Sequence, residues 1–89
     1  LRYEIFRTAS FKKGFKKLSA KQQNETLVII EKLANGETLS QKYKDHQLIG
    51  NYNDCRECHI KPDLLLIYKI KEEVVELALV EIGSHADLF

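Results

Sequence analysis

The sequence predicts a small α+β domain in which two N-terminal helices pack on an antiparallel sheet, in the order β-α-α-β-β-β. Three observations carry this reading. Apolar residues recur at helical spacing between positions 11 and 34; three strand-like runs separated by turn signals fill positions 55 to 82; and the first seven residues alternate. With 89 residues, 44% of them apolar, the chain can bury one core and not two, so residues 1–89 are read as a single domain. No repeat, linker or low-complexity segment interrupts it.

Each element has its own warrant. Leu1 to Arg7 sets Tyr3 and Ile5 against Glu4 and Phe6, enough for a first strand. Ser10 then serves as the N-cap of a short helix whose stripe Phe11, Phe15, Leu18 leaves Lys12, Lys13, Lys16 and Lys17 on outer faces. Ser19 and Gln22 form a capping box, so a second helix runs to about Asn35 with Leu27, Ile30 and Ala34 facing inward, and Asn35-Gly36 stops it. Residues 36–54 are polar with glycines near both ends and read as a long surface loop, with a short strand near Leu48. Cys55 to Ile60 is a strand, Lys61-Pro62 a turn, and Asp63 to Lys71 the central strand, because Leu64-Leu-Leu-Ile-Tyr68 suits burial on both faces. Lys71-Glu72-Glu73 turns the chain into a last strand, Val74 to Ile82, which Gly83 ends before the tail Ser84 to Phe89.

Composition excludes some classes. No apolar run reaches the roughly 18 residues of a membrane span, and the N-terminus lacks the blocks of a signal peptide, so a soluble, cytoplasmic protein is expected. The net charge of +1 hides an asymmetry. Residues 1–21 carry Arg2, Arg7, Lys12, Lys13, Lys16, Lys17 and Lys21 against Glu4, whereas residues 72–89 carry Glu72, Glu73, Glu76, Glu81 and Asp87 with no Lys or Arg. A basic block of this kind is commonly a solvated helix face, but it also suits a phosphate backbone.

The candidate chemistry lies in the histidines. His59-Ile-Lys-Pro-Asp63 places a carboxylate four residues from an imidazole across a turn, and His46 and His85 complete the set of three. Histidine exchanges protons near neutral pH, and a neighbouring carboxylate orients it, so the pattern suits general acid/base work. Two other motifs carry less. Cys55-Arg-Glu-Cys58-His59 matches the attachment pattern of c-type haem, yet the pair falls on a strand where positions three apart point to opposite faces. Two reduced cysteines are expected there. Zinc could draw on the histidines and Asp63, but their spacing matches no common zinc motif, and no metal or cofactor is expected.

Taken in order, Tyr43-Lys-Asp-His46-x-Leu48, Arg56-Glu-Cys-His59-Ile-Lys-Pro62-Asp63, Leu66-Ile-Tyr68 and Gly83-Ser-His85-Ala-Asp-Leu-Phe89 resemble the YafQ branch of the RelE/ParE superfamily of bacterial toxins, from about residue 43 onward. The resemblance implies the RelE-like, microbial-ribonuclease-like fold. It implies the toxin of a type II toxin-antitoxin system, an endoribonuclease (mRNA interferase) that cleaves messenger RNA in the ribosomal A site without a metal. The ribose 2′-OH attacks the adjacent phosphate, leaving a 2′,3′-cyclic phosphate and a 5′-OH. By match to the family's motifs, His46, His59, Asp63 and His85 form the catalytic group, with His85 as acid and Asp63 or His59 as base. Phe89 holds the nucleotide; Lys12, Lys13, Lys16 and Lys17, with Lys44 and Lys61, contact RNA.

The same resemblance implies an acidic, partly disordered antitoxin as partner, and operator DNA met only through it. Two departures from the pattern stand out: Leu64 where some members carry tryptophan, and Glu81 where the family often has arginine. Loss of a cation at the reacting phosphate weakens catalysis, unless Lys61 or Lys69 substitutes. The competing expectation is therefore a toxin-like binding module that occupies the ribosome or antitoxin, and takes part in operon repression, without cutting RNA. Gyrase-directed action, as on the ParE side, fits the histidine set poorly.

Overall fold

The computed structural model describes residues 2–52 and 54–89; Leu1, expected to open the first strand, and Asn53, within the expected loop, lie outside the described residues. Strand β1 is Glu4–Arg7, followed by helices α1 (Ala9–Lys16) and α2 (Ala20–Ala34), then β2 (His46–Gln47), β3 (Arg56–Lys61), β4 (Leu64–Lys71), β5 (Glu76–Gly83) and a terminal turn of helix, α3 (His85–Leu88). The sheet order is β1-β5-β4-β3-β2, which makes β4 central, as its apolar run suggested. Strands β2 to β5 pair antiparallel as expected, while β1 joins β5 in parallel. The two helices intervene between β1 and the rest of the sheet, so no hairpin constrains β1 to run the other way.

Helix α1 starts two residues earlier than Ser10 implied. Thr8 is its N-cap: the hydroxyl accepts from Phe11 N (3.0 Å) and donates to the Val80 carbonyl (2.7 Å), tying the helix to β5. Contact there is close, since a Cβ on Gly14 would lie 2.5 Å from the Ile82 carbonyl oxygen. Phe11 is buried and stacks on Phe15 with ring centroids 5.6 Å apart. Helix α2 has the Ser19–Gln22 capping box, and its inward face runs through Thr26, Ile29, Ile30, Leu33 and Ala34. Leu27, expected inside, is 47% exposed. Thr26 takes that place at no cost in unpaired polar groups, because its hydroxyl donates to the Gln22 carbonyl at 2.8 Å.

The loop after α2 has more order than its composition suggested. A 3₁₀ turn at Gln41–Tyr43 ends on Lys44 in the left-handed region (φ 50°), and β2 begins at His46, two residues before the expected strand at Leu48. Leu48 N still donates to the Cys55 carbonyl at 3.0 Å. Val74 and Val75, expected in the last strand, belong to a turn, with Val75 at φ 51°.

Parity along the strands separates two faces. Cys58, Ile60, Leu64, Leu66, Tyr68, Leu77, Leu79 and Ile82 pack with α1 and α2 into one core. A bulge makes this set consistent: Ile67 pairs Glu81 and Tyr68 pairs Leu79, so Val80 is the extra residue in β5. Leu77 and Leu79 precede the bulge and Ile82 follows it, all on the helix side. Glu81 and Gly83 are thereby moved to the opposite face, in register with Ile67 and Leu65.

Candidate active site

The face away from the helices carries the titratable groups. Glu57 and His59 are alternate residues of β3 and share that face; His46 on β2 stands in register with Glu57. Leu65 and Ile67 pair with His59 and Glu57, are fully buried, and supply an apolar floor. Asp63 occupies the two-residue turn Pro62-Asp63 between β3 and β4, at the rim of this face.

The C-terminal segment closes the site from the other side. Ser84 and Asp87 form a capping box, with Ser84 N donating to Asp87 Oδ2 (3.1 Å) and Asp87 N to Ser84 Oγ (3.2 Å); these bonds from Ser84 hold the Asp87 carboxyl below its ordinary range. The cap orients α3 so that His85 N donates to Asp63 Oδ1 at 3.2 Å, with the ring Nδ1 3.9 Å from the same oxygen. Ring centroids then run in a row: His46 to His59 6.4 Å, His59 to His85 6.1 Å, His85 to Phe89 5.9 Å. Tyr52 meets Phe89 edge-on at 6.0 Å. The structure thus brings His46, His59, Asp63, His85 and Phe89 together.

Glu57 was missed by the reading of the sequence. Its side chain is only 4% exposed, and one oxygen, Oε1, lies 3.4 Å from His59 Nε2 and 3.5 Å from His46 Nε2. The signal was present: an acidic residue two positions before a histidine in a strand must share its face. His46 Nδ1 is 2.7 Å from the Lys44 carbonyl, so both nitrogens of that ring face acceptors. Only a ring bearing both protons satisfies the two together.

His46 is held by a second group of residues that sequence reasoning passed over. Asp45 accepts from Arg56 Nε at 3.0 Å and from the Tyr68 hydroxyl at 2.7 Å. Burial pushes the Tyr68 phenol up, and its bond to Asp45 adds to the effect, so the hydroxyl remains a donor. The central strand thereby anchors the segment leading into β2.

Two hollows flank the histidines. One, of about 510 Å³, is lined by His59, Lys61, Lys44 and residues of α2; the other, of about 520 Å³, by Asp63, Glu81, Lys13 and Lys17. Lys12 and Lys16 are exposed on α1 and line neither. Glu81 accordingly stands beside Asp63 with cations from α1 across from it. The substitutes considered for a missing arginine are engaged elsewhere: Lys61 with Glu25 (2.7 Å) and Lys69 with Asp54 (3.8 Å). Cys55 and Cys58 are free and buried, and burial pushes the Cys58 thiol up to about 12. Among the described residues no group of three or more His, Cys, Asp or Glu could hold a metal ion, and no helix is long and apolar enough to cross a membrane.

Comparison with known proteins agrees with this geometry. The profile of the family described as bacterial toxin of type II toxin-antitoxin system, YafQ, matches residues 3–89, extending the likeness through the N-terminal helices. The chain is 40% identical over 47 residues to the mRNA interferase toxin YafQ of Escherichia coli K12, a stretch covering 53% of this chain and 49% of that protein, about half the length of this curated relative. A metal-bound toxin from Helicobacter pylori superposes with a TM-score of 0.85 at 40% identity, over 98% of this chain and 99% of that one. In the E. coli DinJ-YafQ toxin-antitoxin complex the matched chain gives a TM-score of 0.86 at 29% identity, over 100% of this chain and 99% of the other.

Proposed function

This chain belongs to the YafQ family of bacterial type II toxins, and from that premise we propose that it is a ribosome-dependent endoribonuclease, cutting mRNA in the A site by metal-independent acid/base catalysis. The observation that carries the proposal is the row of three imidazoles ending on Phe89, with a carboxylate behind each end of the reaction: Glu57 beside His59, Asp63 beside His85.

The two pairs divide the work. His59, backed by the buried Glu57, takes the proton of the ribose 2′-OH as that oxygen attacks phosphorus. His85, oriented by Asp63, gives a proton to the 5′ oxygen as the P–O5′ bond breaks, leaving a 2′,3′-cyclic phosphate and a free 5′-OH. His46, whose nitrogens both face acceptors, sets positive charge beside the phosphorane. Phe89 offers a ring for a base, and Lys13 and Lys17 border the path of the strand.

Glu81 favours a second reading, that of a weak or inactive toxin-like module that binds ribosome or antitoxin and takes part in operon repression. A carboxylate in the hollow next to Asp63 repels an incoming phosphate. Primer extension on programmed ribosomes separates the two. Cuts within A-site codons that vanish in His85→Ala support the nuclease; growth inhibition that persists in His85→Ala supports the module. Glu81→Arg should raise cleavage, by up to roughly 10²- to 10³-fold if it supplies a full charge-stabilising donor. No increase would remove position 81 as the limit on rate.

Partners follow from the same proposal: ribosome and mRNA as targets, and a cognate antitoxin as inhibitor. The DinJ-YafQ complex supports the antitoxin for this chain. An acidic, partly disordered chain folding over the basic surface is the expected form, in the cytoplasm with the ribosomes. Co-purification from the native operon tests it; recovery of a single chain alone would count against a stable complex.

A further inference from the structure

The hollow between α2 and the end of β3 contains a polar group that the catalytic scheme does not use. Glu25 on α2 gives Oε2 to Lys61 Nζ at 2.7 Å, while its other oxygen, Oε1, is buried with no hydrogen-bond partner among the described residues. A buried carboxylate oxygen left unpaired is costly, and a bound donor would relieve it. Val28 and Ile29 form an apolar wall beside it, Tyr43 and Lys44 line the hollow too, and His59 opens it onto the catalytic row. Its volume of about 510 Å³ lies in the range of small-molecule pockets, which begins near 300 Å³.

We propose that this hollow is a base-reading subsite for the RNA nucleotide flanking the cleaved bond, in which Glu25 selects guanine. The inference rests on the nuclease reading above. Among the bases, guanine offers two adjacent N–H donors, N1 and N2, to one carboxylate, and its O6 lies next to them, where the Lys61 ammonium can reach it. Uracil turns carbonyls to either side of its single N–H and meets the carboxylate with repulsion. The basic rim of Lys44 and Lys61 suits the adjoining phosphates, which favours a nucleotide over an apolar peptide.

Two measurements test the subsite separately from catalysis. The first is binding of uncleavable 2′-O-methyl tetranucleotides that differ only by guanine or uracil at one position, scanned along the strand. The second is the sequence context of ribosomal cuts by primer extension. We expect wild type to prefer guanine at one position by about tenfold or more, the scale of one bidentate base contact, and Glu25→Gln to reduce that ratio toward one. Glu31→Gln, an exposed site on the same helix, should keep the wild-type ratio. Thermal melts establish that each variant is folded. An oligonucleotide preference that is absent in wild type, or unchanged in folded Glu25→Gln, overturns the subsite. Guanine-selective binding without ribosomal cuts would leave the subsite standing and defeat the nuclease reading instead.

Discussion

On the helix-covered face of the sheet, Cys58, Leu66, Leu77 and Leu79 are fully buried in one apolar cluster. On the opposite face the same central strands carry His59 and Glu57 over Leu65 and Ile67, and the groups at its edge are open, with His85 60% and Asp63 73% exposed. Alternate residues of one strand therefore serve different ends: Cys58 and Ile60 hold the helices, while Glu57 and His59 are presented to a ligand. The difference teaches that stability and chemistry are separable here, residue by residue, within a single strand.

The sharpest way to break that comparison is to remove one group from each face. His85→Ala should lower cleavage by roughly 10²- to 10⁴-fold, the usual scale of a general acid, with little change in melting temperature. Leu66→Ala should do the reverse, costing about 2–5 kcal/mol of stability, seen as a fall in melting temperature of about 10 °C or more. A large drop in melting temperature for His85→Ala would show that the exposed row also holds the fold together, and the separation would be lost.

Tyr68 sharpens the comparison because it belongs to both sides. Its ring lies in the helix-side core, yet its hydroxyl donates to Asp45, one residue before His46. Tyr68→Phe leaves Asp45 with Arg56 alone, so a loss of about 1–3 kcal/mol is expected together with a fall in cleavage. Chemical denaturation and single-turnover cleavage measure the two effects. Reduced stability with unchanged cleavage would mean that Asp45 does not set the position of His46.

Much of this arrangement could be read in advance. The capping box at Ser19, the apolar run of β4 and the turn at Pro62 are local signals, and each led to the right element. The grouping of His46, His59, Asp63 and His85 followed from motif resemblance, and the fold brings them together. What escaped had non-local causes. The Val80 bulge reverses parity within β5, so a simple alternation through Val74 to Ile82 cannot assign Glu81 to the site face. Leu27 and Thr26 are adjacent on α2, and only packing on the sheet decides which turns inward. Glu57 looked like a surface residue because its partners, His46 and His59, meet it through strand pairing and alternation together.

The smallest expected effect concerns Cys58, which sits back to back with His59 on the core face. Burial pushes its thiol up to about 12 in the folded chain, against an ordinary value near 8.5 when unfolded. The neutral thiol is therefore favoured by folding. Below about pH 8.5 both states hold the proton and the group has no effect on pH dependence. Above it the unfolded chain releases the proton first, so stability falls as pH rises, until the folded thiol itself titrates near 12. At pH 9 the loss is on the order of 1 kcal/mol relative to pH 7. Cys55, also raised by burial, acts in the same direction. Urea midpoints at pH 7 and 9 should therefore draw closer together in Cys58→Ala, even though the variant is less stable at both. An unchanged gap would mean that water reaches Cys58 and that the core face is less sealed than the row of buried strand residues indicates.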